Sequence, residues 1–187
     1  MRIALALSLA CCLCVPALAA AQEAPKPAVG TPQVPAQVYN KLLSMMEKQF
    51  VDAAEAMPED KFDFAPPTTA GEFKGVRTFA SQLKHVIEAN GYFFHDPAKP
   101  LVDNRADIEK LKTKAEIIAA LKSSFADAHA YMDAITPENA FVTNANGGTR
   151  AGMAAFGIAH FMDHYGQIVL YLRMNGIVPP ASRGSGM

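Results

Sequence analysis

Four stretches of this 187-residue chain repeat apolar residues at helical spacing, and none shows the strict apolar–polar alternation of a half-buried strand. Proline or glycine follows each stretch, as is typical of a helix end. The predicted helices span residues 36–57, 76–94, 113 to just before Pro137, and 150–175. Amphipathic helices of similar length bury their apolar faces by packing around one core. The pattern therefore predicts an all-α fold, a four-helix bundle.

One apolar stripe runs along each predicted helix and supplies the predicted core. In chain order the stripes are Tyr39, Leu43, Met46, Phe50, Ala53 and Met57; Phe79, Leu83, Val86 and Phe93; Ile118, Leu121, Phe125 and Met132; and Met153, Phe156, His160, His164, Gln167, Tyr171 and Met174. Thr113 and Glu116 have the spacing of a capping box at the start of the third helix. Residues 97–112 form a polar connection between the second and third helices that is long enough to cross the bundle. The sequence leaves the handedness of this connection open.

Neither end of the chain has a helical core pattern. Met1-Arg2, the apolar run from Ile3 to Val15 and the small residues of Ala17-Leu18-Ala19 predict a secretory signal peptide. The predicted organisation is a signal peptide at 1–21, a tether rich in proline and alanine at 22–35, the bundle at 36–180 and a disordered tail at 181–187. We expect an exported protein, periplasmic or extracellular. No stable membrane span is expected after cleavage, because no second run approaches the roughly 20 apolar residues that a span needs.

All three cysteines, Cys11, Cys12 and Cys14, lie in the predicted signal peptide. A mature chain without cysteine has no disulfide, no cysteine nucleophile and no thiolate metal ligand. A lipoprotein anchor is the less favoured alternative: Ala10 precedes Cys11, but the apolar run before Cys11 is short for that purpose. The formal charge of −1 argues against a nucleic-acid partner, which usually requires a basic surplus.

His160 and His164 are four residues apart in the fourth predicted helix, so their side chains lie on one face. Two neutral imidazoles in this arrangement can bind a metal ion such as zinc. Two hydrogen-bonded core histidines give the same pattern. His85 lies at the border of the second apolar stripe, a position that suits a ligand in a cleft between helices and also an ordinary surface histidine.

Two segments around these histidines carry a recognisable pattern. They are Gln82-Leu-Lys-His85-Val-Ile-Glu-Ala-Asn-Gly-Tyr-Phe93 and His160-Phe-Met-Asp-His164-Tyr-Gly-Gln167-Ile-Val-Leu-Tyr171-Leu-Arg173-Met-Asn-Gly176-Ile-Val-Pro179. Together with the predicted helices, they resemble the DinB-like superfamily over roughly residues 36–180. Its members carry one histidine in the second helix and His-x-x-x-His in the last. The resemblance implies a DinB-like four-helix bundle.

The resemblance also implies that His85, His160 and His164 form a three-histidine site for a divalent metal ion. Three neutral imidazoles leave one coordination position open for water, whose pKa bound zinc lowers to about 7. Zinc is the expected metal, and nickel, iron and copper also accept imidazole ligands. Gln167, one turn beyond His164, is a predicted hydrogen-bond partner of a ligand. His129 is a candidate further ligand, with a hydrogen-bonded core histidine as its alternative.

Several functions are compatible with this resemblance. Some relatives are thiol-dependent transferases, and others look like metal-dependent hydrolases acting on small substrates. Export favours hydrolysis, because the cytosolic thiol pool is absent outside the cell. The alternative is a non-catalytic metal-binding or ligand-binding bundle, since no glutamate falls on the inner face of the fourth helix to act as a general base. The third hypothesis is a purely structural bundle whose histidines bind nothing. The resemblance also implies pairing as a homodimer.

Overall fold

The computed structural model of the protein describes residues 26–145 and 147–184. Over these residues it contains five α-helices and no strand, which confirms the predicted all-α fold. The helices are α1 (Pro35–Ala56), α2 (Phe79–Phe93), α3 (Arg105–Lys110), α4 (Lys114–Asp133) and α5 (Arg150–Met174), with turns of 3-10 helix at Glu59–Lys61, Thr68–Ala70 and Pro180–Ser182. The four long helices are the predicted ones, and the short α3 lies inside the predicted connection.

Residues 26–32 are the described part of a separate unit, and they contain no helix. Its chain turns where the backbone N–H of Thr31 donates to the Ala28 carbonyl at 3.1 Å. The predicted signal peptide at 1–21 lies outside the described residues, as does the beginning of the predicted tether. Of the helices in the described part of the chain, none is long and apolar enough to cross a membrane.

α2 and α5 pack side by side and run in opposite directions. Gln82, near the start of α2, donates a hydrogen bond to Gln167, near the end of α5. At the other end of the pair, the Phe93 ring packs edge-on against Phe156 with the ring centroids 5.0 Å apart. This antiparallel packing sets the middle of α2 beside the middle of α5.

α1 and α4 form the second antiparallel pair. Asn40, near the start of α1, donates to the carboxylate of Asp133 at the end of α4. Lys122 of α4 pairs with Glu55 at the end of α1, with 2.6 Å between the charged atoms. Each of α1 and α2 contacts both α4 and α5, so α1 and α2 face each other across the diagonal of the bundle.

The connection between α2 and α4 crosses the bundle from end to end. Phe94, just past α2, lies 5.9 Å by ring centroids from Tyr131 in the last turn of α4. α4 begins at the opposite end, where the Lys114 ammonium donates to the Met57 carbonyl. The predicted long connection therefore returns along the length of α2, and the Lys84 ammonium holds it by donating to the Glu109 carbonyl at 3.2 Å.

Three phenylalanines from three helices meet at the centre of the core. Phe50 of α1, Phe125 of α4 and Phe161 of α5 are fully buried, and their ring centroids lie 5.1 to 6.1 Å apart in edge-to-face contacts. Such pairs contribute about 0.5–1.5 kcal/mol each beyond the burial of their area. All predicted stripe residues of α2 and α4 are buried.

α2 begins at Phe79, three residues later than the predicted start at Val76. The side chain of Thr78 accepts a hydrogen bond from the Ser81 backbone N–H and so caps the helix. The Phe79 backbone N–H donates instead to the carbonyl of Phe64 in the preceding loop. The apolar side chain of Val76 extended the pattern beyond the cap, which made the prediction of this boundary wrong.

The predicted inner face of α5 was also partly wrong. Phe156 is 62% exposed and Met174 is 38% exposed. The buried face is centred instead on small and branched residues, among them Ala154, Gly157 and Ile158. At Gly157 a Cβ would lie 3.0 Å from the Phe93 Cβ and would overlap the ring of Phe94. α2 therefore makes its close approach at Gly157, and the neighbouring Phe156 lies at the edge of this contact with its ring against Phe93.

Gly176 ends α5, as the sequence predicted. It has a φ of +73°, which lies in the left-handed region that favours glycine. Its N–H donates to the Arg173 carbonyl, and the Ile177 N–H donates to the Leu172 carbonyl, the pair of bonds of a Schellman motif. Beyond it, Pro180–Ser182 forms a single helical turn that packs on α1, so the first residues of the predicted tail at 181–187 lie in an ordered turn.

Candidate metal centre

His85 of α2 and His160 and His164 of α5 form one cluster between the two helices. The ring centroids are 5.2 Å apart for His85 and His160 and 4.8 Å apart for the other two pairs. One nitrogen of each ring lies within 4.8 Å of a nitrogen of both others. The i,i+4 spacing in α5 supplies two rings on one side, and the antiparallel neighbour α2 supplies the third. The three predicted ligand residues are thus brought together.

A chain of hydrogen bonds determines which nitrogen of His164 carries the proton. The carboxylate of Asp163 can only accept, so the Gln167 amide nitrogen donates to it at 3.2 Å. The Gln167 oxygen then accepts from the Gln82 amide nitrogen at 2.7 Å. The Gln82 oxygen remains to accept from Nδ1 of His164, also at 2.7 Å. Nδ1 of His164 is therefore protonated, and Nε2 keeps the lone pair that a metal ion requires.

His160 has a buried nitrogen that no protein group satisfies. Its Nε2 is inaccessible to solvent and has no hydrogen-bond partner within residues 26–145 and 147–184. Leaving a buried polar atom unpaired costs about 1–3 kcal/mol. Because the His160 ring belongs to the three-ring cluster, a metal ion bound at this nitrogen would remove the cost.

All three imidazoles have a lowered pKa, and burial is the largest cause in each case. The pKa of His164, which is 5% exposed, falls to about 4, and repulsion from His85 and His160 adds to the effect of burial. At His85 the second cause is the positive charge of Arg77. The rings are therefore neutral near pH 7, the state in which imidazole binds a metal ion.

Gln82 is the functional residue that the sequence did not single out. It is 2% exposed, and its amide links His164 to Gln167. The sequence does contain an indication of this role. Gln82 lies three residues after Phe79 and four before Val86, and this spacing places its polar side chain on the buried stripe of α2. A buried amide needs partners, and a histidine on the facing helix is one of the few that suits its oxygen.

The two predicted supporting residues occupy different places. Gln167 lies next to the cluster, but it acts on His164 through Gln82 rather than directly. His129 lies on the other side of the bundle, between α4 and α1. Its Nδ1 is 2.6 Å from the Asn40 side-chain oxygen, and its Nε2 is 2.8 Å from a carboxylate oxygen of Glu47. The structure does not bring His129 to the cluster.

A surface cavity of about 410 Å³ opens beside His85. Glu88, one turn further along α2, lines the same cavity and is partly exposed. Its carboxylate lies 3.7 Å from the guanidinium of Arg105. A space of this size beside His85 gives a small molecule a route to one ring of the cluster, with the Glu88 carboxylate along the same space.

The sequence model of the DinB superfamily matches residues 42–168, more than half of the chain, including all three histidines of the cluster. This chain belongs to the DinB superfamily. No curated protein matches it. Membership in the DinB superfamily confirms the resemblance carried by the two histidine segments.

The donor set of this DinB-superfamily protein fits a divalent metal ion. Three neutral nitrogen donors converge, one of them held in the required tautomer and another buried without a partner. Imidazole ligands suit zinc, nickel, iron and copper, so the donor atoms do not select among these metals. The cluster can hold a metal ion, and its residues are the three predicted from the sequence.

Proposed function

We propose that this protein is a metal-dependent enzyme that activates water, or a bound thiol, for attack on a small substrate, with hydrolysis as the favoured reaction. The observation that supports it most is the convergence of His85, His160 and His164 with a buried, unpartnered Nε2 on His160. In this proposal the three histidines hold the ion. Three protein ligands are the usual number at catalytic zinc sites, whereas structural sites use four.

The surrounding residues have distinct parts in this proposal. Gln82 holds His164 in the tautomer that leaves Nε2 free. Glu88 lies in the cavity beside His85 and is the carboxylate placed to accept a proton from an incoming nucleophile. When bound, a divalent ion supplies Lewis acidity that lowers the pKa of a nucleophile and polarises a substrate oxygen.

Metal analysis tests the site itself. We expect protein purified without a histidine tag to contain, or to take up on titration, close to one equivalent of zinc, nickel, iron or copper. His164→Ala should abolish this binding. His129→Ala is the matched control, because it removes an imidazole outside the cluster and should leave metal content unchanged. Less than a tenth of an equivalent in the wild type, with no uptake, would contradict the proposal.

A non-catalytic metal-binding or ligand-binding protein is the second candidate. It is favoured by the absence of any carboxylate bonded directly to the three rings among the described residues, where His164 is bonded to an amide instead. A screen of ester, amide and thiol-transfer substrates separates the two candidates. Turnover by the metal-loaded wild type that is lost on metal removal and in Glu88→Gln supports the enzyme. Metal binding without turnover of any substrate supports the binder.

We also propose that the protein is exported through the predicted signal peptide at 1–21 and that it pairs as a homodimer. N-terminal sequencing of the protein recovered from a cell envelope fraction tests the first point. A mature chain that begins after Ala19 or Ala21 supports cleavage, and an intact Met1 contradicts it. Light scattering of the purified bundle tests the second, with twice the mass of one chain as the expected result.

A further inference from the structure

The cavity beside His85 contains more positive than negative side chains. Its lining includes three cationic side chains and two carboxylates. Lys84 is 14% exposed and is held by the carbonyl and the carboxylate of Glu109. Arg105 forms two hydrogen bonds with Asp103 and lies 3.7 Å from Glu88. Two of the three cations are therefore already neutralised by protein groups.

Arg77 is the remaining cation of this cavity. In residues 26–145 and 147–184 its guanidinium makes no hydrogen bond and no ion pair, whereas its backbone carbonyl accepts from the Tyr171 hydroxyl at 3.0 Å. That bond anchors the residue to α5 just before α2 begins. Arg77 and His85 line the same cavity, so the guanidinium lies on the side of α2 that carries one of the three rings. Arg77 thus presents an unpaired charge at the edge of the cluster.

We infer that Arg77 binds an acidic group of the substrate, a carboxylate or a phosphate, in the cavity next to the three histidines. A guanidinium offers five N–H donors in a planar fork that matches the two oxygens of such a group. The substrate is then a small anionic molecule whose acidic end lies on Arg77 and whose reacting end points toward the histidine cluster. This inference rests on the proposed function, because it takes the cluster as the reacting centre.

Competing anions of the protein do not occupy this place. Asp163 of α5 is hydrogen-bonded to Gln167. Glu88 and Glu109 lie beside Arg105 and Lys84. The arrangement leaves the positive charge of Arg77 to an external anion, which that charge attracts into the cavity.

Anion titrations by calorimetry test the inference, with inorganic phosphate and acetate as the probes and zinc-loaded protein free of excess zinc. We expect Arg77→Gln to weaken binding of at least one probe about tenfold or more, the loss typical of a charge-assisted bidentate contact. Arg105→Gln is the matched control, because it removes the same charge from the same cavity at a residue that is already paired. It should weaken binding less than threefold.

Two results would overturn the inference. One is equal binding by wild type and Arg77→Gln for both probes, which includes the case of no binding by either. The other is an equal loss in Arg77→Gln and Arg105→Gln, which would show that only the general charge of the cavity matters. Zinc affinity measured on the same variants separates this inference from the proposed function. Arg77→Gln should bind zinc as the wild type does, whereas a wild type that binds no zinc but binds phosphate through Arg77 would contradict the metal proposal alone.

Discussion

Gln82 controls the histidine cluster from outside it. Its amide oxygen accepts a hydrogen bond from Nδ1 of His164 and its amide nitrogen donates to Gln167, so the tautomer of one ring depends on a residue that is not itself a proposed ligand. Gln82→Met keeps the length of the side chain and removes the acceptor. We expect zinc affinity, measured by competition with a chelator, to fall about 10- to 100-fold, as is typical when such a partner is lost.

Gln167→Met provides the graded comparison for this prediction. It removes the middle of the hydrogen-bond chain and leaves the bond between Gln82 and His164 in place, so its effect on zinc affinity should be smaller. Equal affinity of Gln82→Met and wild type would show that His164 needs no orienting partner. A larger loss of zinc affinity in Gln167→Met than in Gln82→Met would contradict the proposal that Gln167 acts on His164 through Gln82.

The acid sensitivity of the metal-free protein follows from His164. Its pKa is about 4 in the folded protein, below the usual 6.5, because burial disfavours the charged ring. Between these two values the unfolded chain binds the extra proton, so unfolding becomes easier as the pH falls. The stabilisation that neutral His164 provides is fully present above about pH 6.5 and is lost as the pH falls to about 4.

Urea unfolding of metal-free protein at pH 7, 5.5 and 4.5 measures this dependence. The wild type should lose more free energy of unfolding over this range than His164→Gln, in which the ionisable ring is absent. Parallel pH dependence in the two proteins would show that His164 does not contribute. Ionisable groups outside the cluster titrate equally in both proteins, so their effects cancel in the difference.

At the scale of the helices, α5 contains two glycines with opposite surroundings. Gly157 faces α2, where a Cβ would lie 3.0 Å from the Phe93 Cβ, an atom that no rotation of its side chain can move away. Gly166 has no atom within 4 Å of a Cβ position. Gly157→Ala should lower the free energy of unfolding by about 1–3 kcal/mol through overpacking. Gly166→Ala should raise it by up to about 1 kcal/mol through helix propensity.

Chemical denaturation of the two variants measures both effects. We predict changes of opposite sign in the free energy of unfolding, although both variants carry the same glycine to alanine substitution in the same helix. Stabilisation by Gly157→Ala would show that α2 and α5 separate without cost. Destabilisation by Gly166→Ala would show that this face of α5 is covered, for example by a second copy of the chain.

Features of a helix that depend on a few neighbouring residues were predictable from the sequence. The capping box of Thr113 and Glu116 forms both of its hydrogen bonds, and Gly176 ends α5 as expected. The inner face of α5 was not predictable in full, because the bulk of Phe156 suggested burial. Phe156 is exposed while α2 makes its close approach at the neighbouring Gly157, and such a contact is a property of two helices rather than one.

At the scale of the whole molecule, the metal would join two helices that are not consecutive in the chain. A ligand that binds only the folded state stabilises it by about 2.7 kcal/mol when present at 100 times its dissociation constant. For a protein of this size we expect the unfolding midpoint to rise by roughly 5–10 °C on zinc addition. His85→Ala leaves two ligands on α5 alone and should lose most of this shift.

Thermal unfolding with and without zinc measures the shift in both proteins. A full shift in His85→Ala would show that the ion binds without α2 and so does not join the helices. His95→Ala, which removes a histidine bonded to the Tyr92 carbonyl outside the cluster, should behave as the wild type.

The three clustered histidines and the helices that carry them were predictable, whereas the contacts of Gln82 and Arg77 were not. The bond between Gln82 and His164 joins residues 82 apart in sequence, and the bond between Arg77 and Tyr171 joins residues 94 apart. No local pattern specifies such pairs. They arise from the crossover between α2 and α4, which determines that α2 and α5 become antiparallel neighbours.

The same crossover determines when the site comes into existence during folding. Closing a chain segment of some 80 residues costs loop entropy that only the finished core offsets, so contacts of such range form late. Before that step the chain offers only the His160 and His164 pair of one helix, two of the three proposed ligands. Binding of a metal ion at full affinity would then indicate that folding is complete. A chelator added during refolding should leave the early kinetic phases unchanged and remove only the last gain in stability.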